Sequence, residues 1–296
     1  ALSLLLFLSV TLMGVTMYAY LVKVGARRLG ALFGAVAFMF NGTAMVWLEF
    51  ENLVTAAAFL PLVLLCMEWY LEPRRRLPAA CLGALALGLI ALMGHLQYLI
   101  YSALLLLFYL AFLLLRQRAD GGRARDAAAV LACFAGMCAG GALIGAVDLL
   151  PVLELLRQSS RIERVFTFTG FFDTLGRVPA AFYLTLLFPF LFGSPHLGFD
   201  FIPRLLRQEY MNYNELCLYL GVPVLFGLAA ALVARKSRHG RFHLGMTALV
   251  AAMMSGTVAY YPFFALFPGM DRMNPTRLVF LFSFTAAAAA VKENRN

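Results

Sequence analysis

Apolar positions in this chain fall in continuous runs rather than alternating in and out or recurring on one helical stripe. Nine runs are predicted as membrane-spanning helices: residues 1–22, 30–48, 53–71, 78–94, 98–115, 127–150, 216–234, 242–261 and 278–291. Several reach the ~20 residues that an α-helix needs to cross a ~30 Å hydrocarbon layer. Between the sixth and seventh lies 151–214, the one long stretch that does not read as a span. It carries both signs of charge and several Pro and Gly breaks. Within it, 180–192 is apolar but short and holds Pro189, so it is expected to lie in the interface or to dip in and return. The expected fold is all-α: a polytopic membrane helical bundle of about nine spans, with one long extracytoplasmic segment containing interfacial or re-entrant helices. The expected organisation is a first bundle of six spans over 1–150, the extracytoplasmic segment over 151–214, and a second bundle of three spans over 215–296, the last of them cut short.

Composition agrees: 62% of the 296 residues are hydrophobic and mean hydropathy is +0.83, which excludes an ordinary soluble domain. The runs do not alternate, which argues against an outer-membrane barrel. The chain opens on Ala inside an apolar run without a basic flank. That is unlike a signal peptide, and it reads as an N-terminally truncated fragment. The five cysteines lie in or beside apolar runs without metal-ligand spacing and read as small span residues. No metal site is expected, and His239 with His243 lack a carboxylate partner.

A net charge of +9 would point to nucleic acid in a soluble protein, but its distribution points to membrane topology instead. Turns holding Lys23, Arg27 and Arg28; Arg74, Arg75 and Arg76; Arg116, Arg118, Arg123 and Arg125; Arg235, Lys236, Arg238 and Arg241; and Lys292 and Arg295 carry sixteen of the 24 basic residues, against five of the 15 acids. Short basic loops stay in the cytoplasm. The turns after spans one, three, five, seven and nine are therefore expected there, in a bacterial cytoplasmic (inner) membrane, with 151–214 outside.

Charge avoids the middle third of every predicted span, which counts against an ion-coupled transporter. Polar groups gather instead at the outward ends: Glu49, Glu51 and Asn52; His95 and Gln97; Asp148 and Glu154; Glu215; Asp271, Arg272 and Arg277. Each also has a plain structural reading. His95 with Gln97 could cap a helical hairpin, Asp148 and Glu154 could favour helix ends beside Pro151, and the arginines could meet lipid phosphate. Gly136, Gly140, Gly141 and Gly145 form two small-xxx-small pairs, a close-approach face for a neighbouring helix. Trp47, Trp69 and Tyr70 are expected as interfacial aromatics. Asn41-Gly42-Thr43 fits the glycosylation pattern but falls inside a span.

Several stretches, in order, carry a resemblance to a known family. They are Gly25-Ala26-Arg27-Arg28-Leu29-Gly30, Leu60-Pro61-Leu62-Val63-Leu64, Gly94-His95-Leu96-Gln97, Leu150-Pro151-Val152-Leu153-Glu154-Leu155, Leu187-Phe188-Pro189, Asn214-Glu215 with Tyr219-Leu220-Gly221, and Phe267-Pro268-Gly269 with Pro275-Thr276-Arg277. Together they resemble the YfhO family of bacterial membrane proteins, related to the fold-C (GT-C) glycosyltransferases that use polyprenyl-phosphate sugars. The resemblance covers nearly the whole chain. Leu96 stands where the family commonly has Pro, and Met273 where it often has Arg.

The resemblance implies a sugar moved from a polyprenyl-phosphate donor to a cell-envelope polymer acceptor at the outer leaflet. Its acidic catalytic residue is expected in a loop upstream of this fragment, so no catalytic residue is assigned here, and a divalent metal is neither implied nor excluded. Among the residues present, Arg272 and Arg277 are the phosphate candidates, while Glu51, Glu154 and Glu215 would orient sugar hydroxyls alongside His95 and Gln97. Partners would be membrane lipid, the lipid-linked sugar and the envelope acceptor, with no nucleic acid. On this reading Arg277→Ala should abolish donor use and leave folding intact. The other reading is a non-enzymatic lipid-linked sugar flippase or export-assembly protein.

Overall fold

A computed structural model describes residues 2–158, 167–194, 199–200, 213–233, 237–267 and 269–292. Of the basic positions named above, Arg235, Lys236 and Arg295 lie outside those residues, as does most of 195–212. Twelve α-helices are described: α1 Leu2–Lys23, α2 Arg28–Met39, α3 Gly42–Val46, α4 Glu51–Trp69, α5 Arg76–Leu92, α6 Leu96–Ala119, α7 Ala124–Arg157, α8 Phe168–Leu175, α9 Val222–Val233, α10 Arg238–Met254, α11 Tyr261–Leu266 and α12 Val279–Ala289. The strands described are β1 Gly193–Ser194 and β2 Phe199–Asp200, an antiparallel two-residue pair. The chain forms two compact units, residues 1–39 with 50–157 and residues 40–49 with 158–296. Their boundaries differ from the divisions at 150 and 214 read from the sequence.

Among the described residues, six helical stretches are long and apolar enough to cross a membrane: Leu2–Lys23, Arg28–Glu49, Glu51–Trp69, Pro73–Leu92, Leu96–Ala119 and Ala124–Leu156. They become seven if the bent pair Arg238–Met254 and Val258–Leu266 counts as one span. The count of nine is not reached among the described residues, and the shortfall falls in the last third of the chain, for local backbone reasons. In the seventh run, Gly221 takes φ +86° and Pro223 follows, so helix begins only at Val222 and is described over 12 residues. In the eighth, Gly256 takes φ +71° and the chain turns by 105° after Met254. The ninth run gives the 11 helical residues of α12.

In the first unit, α1 packs on α4 and α2, and α5 on α4 and α7. The α5–α7 contact uses the predicted small residues. A Cβ built on Gly140 would lie 2.9 Å from the Ala84 Cβ, and one on Gly145 would lie 2.5 Å from the Ala91 Cβ. Gly141 faces Leu87 in the same way, whereas Gly136 has nothing within 4 Å and takes no part. Close approach of this kind drives helix association where lipid removes the hydrophobic driving force. Helix α7 runs through Pro151 without ending there, to Arg157. Its 34 residues rise about 50 Å at ~1.5 Å each, more than the ~30 Å apolar layer.

In the second unit α12 is the centre. Every residue from Val279 to Ala289 is buried, and α10, α9 and α3 pack against it. A helix apolar all round is a core helix. An aromatic cluster joins α8 to the turn before α11, with Phe171 stacked on Tyr260 at 5.4 Å and Phe168 edge-on to Tyr261 at 5.1 Å. The doubtful stretch 180–192 forms a 3-10 helix over Ala180–Leu186, then turns. It docks on the end of α10 through the Tyr183 hydroxyl, which donates to the Ala251 carbonyl at 2.8 Å. Of the predicted interfacial aromatics only Trp69 is half-exposed, lying under the Arg75 guanidinium at 5.6 Å. Trp47 and Tyr70 are buried.

Candidate functional site: a buried carboxylate on the Asn274–Arg277 turn

Leu216 to Gly221 stays non-helical because its backbone is used elsewhere. The Tyr219 carbonyl accepts from the Gly42 amide at 2.6 Å, and the Cys217 carbonyl accepts from the Thr43 hydroxyl at 3.1 Å. Asn41 caps α3 by accepting from the Ala44 amide at 2.9 Å. Gly42 is required there: a Cβ would come 2.6 Å from the Cys217 Sγ and 3.1 Å from the Tyr219 carbonyl oxygen. Asn41-Gly42-Thr43 is thus a packing and capping element, which explains the break in the second span.

That arrangement holds Glu215 at the end of the Tyr213–Glu215 turn, 1% exposed. Its Oε2 accepts from Asn274 Nδ2 at 2.6 Å and from Thr276 Oγ1 at 2.9 Å. Its Oε1 accepts from Arg277 Nε at 2.9 Å, closing an ion pair. Asn274 also caps the turn it precedes, its Oδ1 accepting from the Thr276 amide at 3.0 Å. A buried carboxylate is tolerated only when its lone pairs and its charge are both answered, and here both are. Nearby in sequence, Arg272 Nε lies 3.3 Å from Asp271 Oδ2, at ion-pair distance without hydrogen-bond alignment. Glu49 accepts from Asn214 Nδ2 at 2.7 Å.

Two of the sequence candidates, Glu215 and Arg277, are therefore brought together, with Arg272 on the same turn-rich stretch. The remaining candidates belong to the first unit. Glu51 opens α4, half-buried, in a first turn where a carboxylate is favoured. His95 caps α6, its Nδ1 accepting from the Tyr98 amide at 3.3 Å, and Gln97 donates to the Tyr101 hydroxyl at 3.1 Å. Asp148 Oδ2 would sit 4.0 Å from a Cβ on Gly94, so the end of α5 lies beside α7 at Asp148, well before α7 ends at Arg157. Glu154 is exposed near the end of α7.

A second buried carboxylate was not among the candidates. Glu68, 2% exposed in the last turn of α4, accepts from the Tyr109 hydroxyl at 2.7 Å. Both its oxygens accept from Arg116 Nη1 at 3.2 Å. Tyr20 in turn donates to the Tyr109 hydroxyl at 3.0 Å. Farther along the same helices the Thr16 hydroxyl donates to the Ala58 carbonyl at 2.8 Å, and Ser9 and Thr55 share a hydrogen bond of 2.7 Å. In the sequence Glu68 is inconspicuous, because it sits one turn from the end of the apolar run 53–71, next to a basic loop. The available signal was that Tyr20, Glu68 and Arg116 each lie within a turn of a span's basic end.

Composition, helix length and helix packing together define an all-α, multi-pass membrane protein. Compared with family models, with characterised proteins and with solved structures, the chain matches none.

Proposed function

We propose that this chain is an integral membrane protein of the glycosyltransferase type, transferring a sugar from a polyprenyl-phosphate donor to a cell-envelope acceptor at the outer leaflet of a bacterial cytoplasmic membrane. The carrying observation is the Glu215 node. A guanidinium that must meet a phosphate repeatedly needs a fixed orientation, and a buried carboxylate on its Nε supplies one. The two stretches that meet there, Asn214-Glu215 and Pro275-Thr276-Arg277, are also among those that resemble the YfhO family.

In the reaction the acceptor oxygen bonds to the anomeric carbon as the bond from that carbon to the phosphate oxygen breaks. The phosphate leaves with the electron pair, stabilised by Arg277, and the acceptor proton passes to a general base. No residue here is assigned as that base. In this reading the basic turns face the cytoplasm, and 151–214 with the Glu215 node lies outside.

A second reading, a lipid-linked sugar flippase or export-assembly protein, draws on the file of polar groups from Ser9 and Thr55 to Glu68 and Arg116. These groups satisfy one another, which suits helix association better than passage. Liposomes holding the purified chain, a radiolabelled polyprenyl-phosphate sugar and an envelope-polymer acceptor separate the two. Transfer that falls at least tenfold in Arg277→Lys, with unfolding unchanged, supports the first. Leaflet crossing of the donor without transfer replaces it with the second.

A further inference from the structure

Ion pairs gather three basic turns of the first unit at one end. Lys23 pairs with Glu72, joining the end of α1 to the turn after α4. Arg76 pairs with Asp126 at 2.9 Å, joining the starts of α5 and α7. Arg116 pairs with Glu68 at 3.2 Å, joining the ends of α6 and α4. Those contacts engage Glu68, Glu72 and Asp126, and Arg75 shares Glu72 at 3.0 Å.

Five further arginines at the same turns, Arg28, Arg74, Arg118, Arg123 and Arg125, are exposed. None of them has an ion-pair partner among the described residues. Leucines lie within three residues of this set with their side chains out: Leu29 at 82%, Leu77 at 74% and Leu115 at 67% exposure. An exposed leucine belongs in hydrocarbon and an exposed guanidinium against water or an anion, and the boundary of a bilayer offers both within one side-chain length.

We propose that this end of the first unit is a binding face for anionic phospholipid. The five guanidinium groups hold headgroup phosphates in two-point hydrogen bonds, and the leucines between them enter the acyl layer. Insertion topology alone requires only that the turns be basic. It does not require that three of the four described acids at these turns, Glu68, Glu72 and Asp126, be consumed in ion pairs between turns while a set of arginines is left facing outward beside exposed leucines; the fourth acid, Asp120, is exposed. The inference does not depend on the transferase reading.

The test uses the full chain purified in a non-ionic detergent, where orientation in a membrane plays no part. Phosphatidylglycerol and phosphatidylcholine of identical acyl chains are added in turn, and bound lipid is counted by native mass spectrometry. At least fivefold preference for phosphatidylglycerol is expected, falling at least threefold in R118Q/R123Q/R125Q and unchanged in R241Q. The variant R28Q/R74Q tests the same face from other turns and should also lose binding, so a folding defect in the first variant leaves the idea open to refutation. Equal retention of the two lipids would overturn the proposal, as would undiminished preference in both variants. Displacement of the lipid by an equal concentration of inorganic phosphate would reduce the face to a plain anion site and overturn it too.

Discussion

Removing Arg277 and removing the charge of Glu215 should have unequal consequences, and the inequality follows from burial. Glu215 is 1% exposed, whereas the Arg277 side chain is 30% exposed. Arg277→Ala leaves a carboxylate inside the protein without its cation, and breaking a buried pair from one side costs about 3–5 kcal/mol. Asn274 and Thr276 still donate to Oε2, which places the cost near the lower end, about 3 kcal/mol. Glu215→Gln keeps the shape and one acceptor oxygen, and Arg277 can turn to water. Its cost is about 1–1.5 kcal/mol, the scale of one lost hydrogen bond.

The double variant E215Q/R277A has no buried charge to strand, so it should be more stable than R277A alone by at least about 1 kcal/mol. Equilibrium unfolding in mixed micelles of a mild detergent and dodecyl sulfate measures all three. If E215Q proves as damaging as R277A, or if the two losses simply add, the buried-pair account is wrong. The same argument revises the expectation that Arg277→Ala leaves folding intact, and it makes Arg277→Lys the variant for testing donor use.

Other perturbations are sharper in sign than in size. Gly42→Ala should cost about 1–3 kcal/mol by overpacking, since its Cβ would meet the Cys217 sulfur and the Tyr219 backbone; wild-type stability in the same micelle assay would refute the contact. Gly145→Leu should separate α5 from α7, because even a Cβ there lies 2.5 Å from the Ala91 Cβ, whereas Gly136→Leu should be silent. A cysteine pair placed across the α5–α7 contact, and its crosslinking yield, would tell the two apart. The hydrogen bond from Lys23, with the charges of Lys23 and Arg75 behind it, holds the Glu72 carboxyl below its ordinary range. A depressed carboxylate stabilises above its unfolded value, so the small deficit of Glu72→Gln should vanish as pH falls from about 4.3 through the lower folded value. A deficit that persists or grows on acidification would contradict that sign.

The first six apolar stretches were legible because lipid demands ~20 apolar residues in a row and every second loop between them is strongly basic. In the last third, apolar content stayed high but the backbone punctuation outweighed it. Gly221 and Gly256 in the left-handed region, and a Tyr219 carbonyl committed to Gly42, each shorten a helix that hydropathy alone extends. Pro151 misled in the opposite direction: it looked like a boundary, yet α7 carries it. Among candidate residues, Glu215 and Arg277 could be named separately, but not as partners, since 62 positions separate them. Asn274 and Thr276, which complete the node, were not among the candidates, since uncharged residues on either side of Pro275 have the character of an ordinary turn. His95 turned out to do what its plain reading offered, capping a helix.

Both buried carboxylates among the described residues escape the rule that functional charge in a membrane protein lies mid-span. Glu68 sits in the last turn of α4 and meets Arg116 in the last turn of α6. Glu215 sits in a turn and meets Arg277 just ahead of α12. An ion pair at a helix end has an advantage over one at mid-depth: the arginine stem covers apolar surface while its head reaches toward water, so only the acid needs full desolvation. The acid then behaves as a fixed anchor and the arginine as a half-exposed cation whose direction is set from behind. Nothing in such a pair interrupts the hydropathy of a span, which is why it leaves no trace in a plot of apolar runs. Within each unit, the place to look for a cation that meets phosphate is therefore a helix end where an arginine is half-exposed and its carboxylate partner is buried.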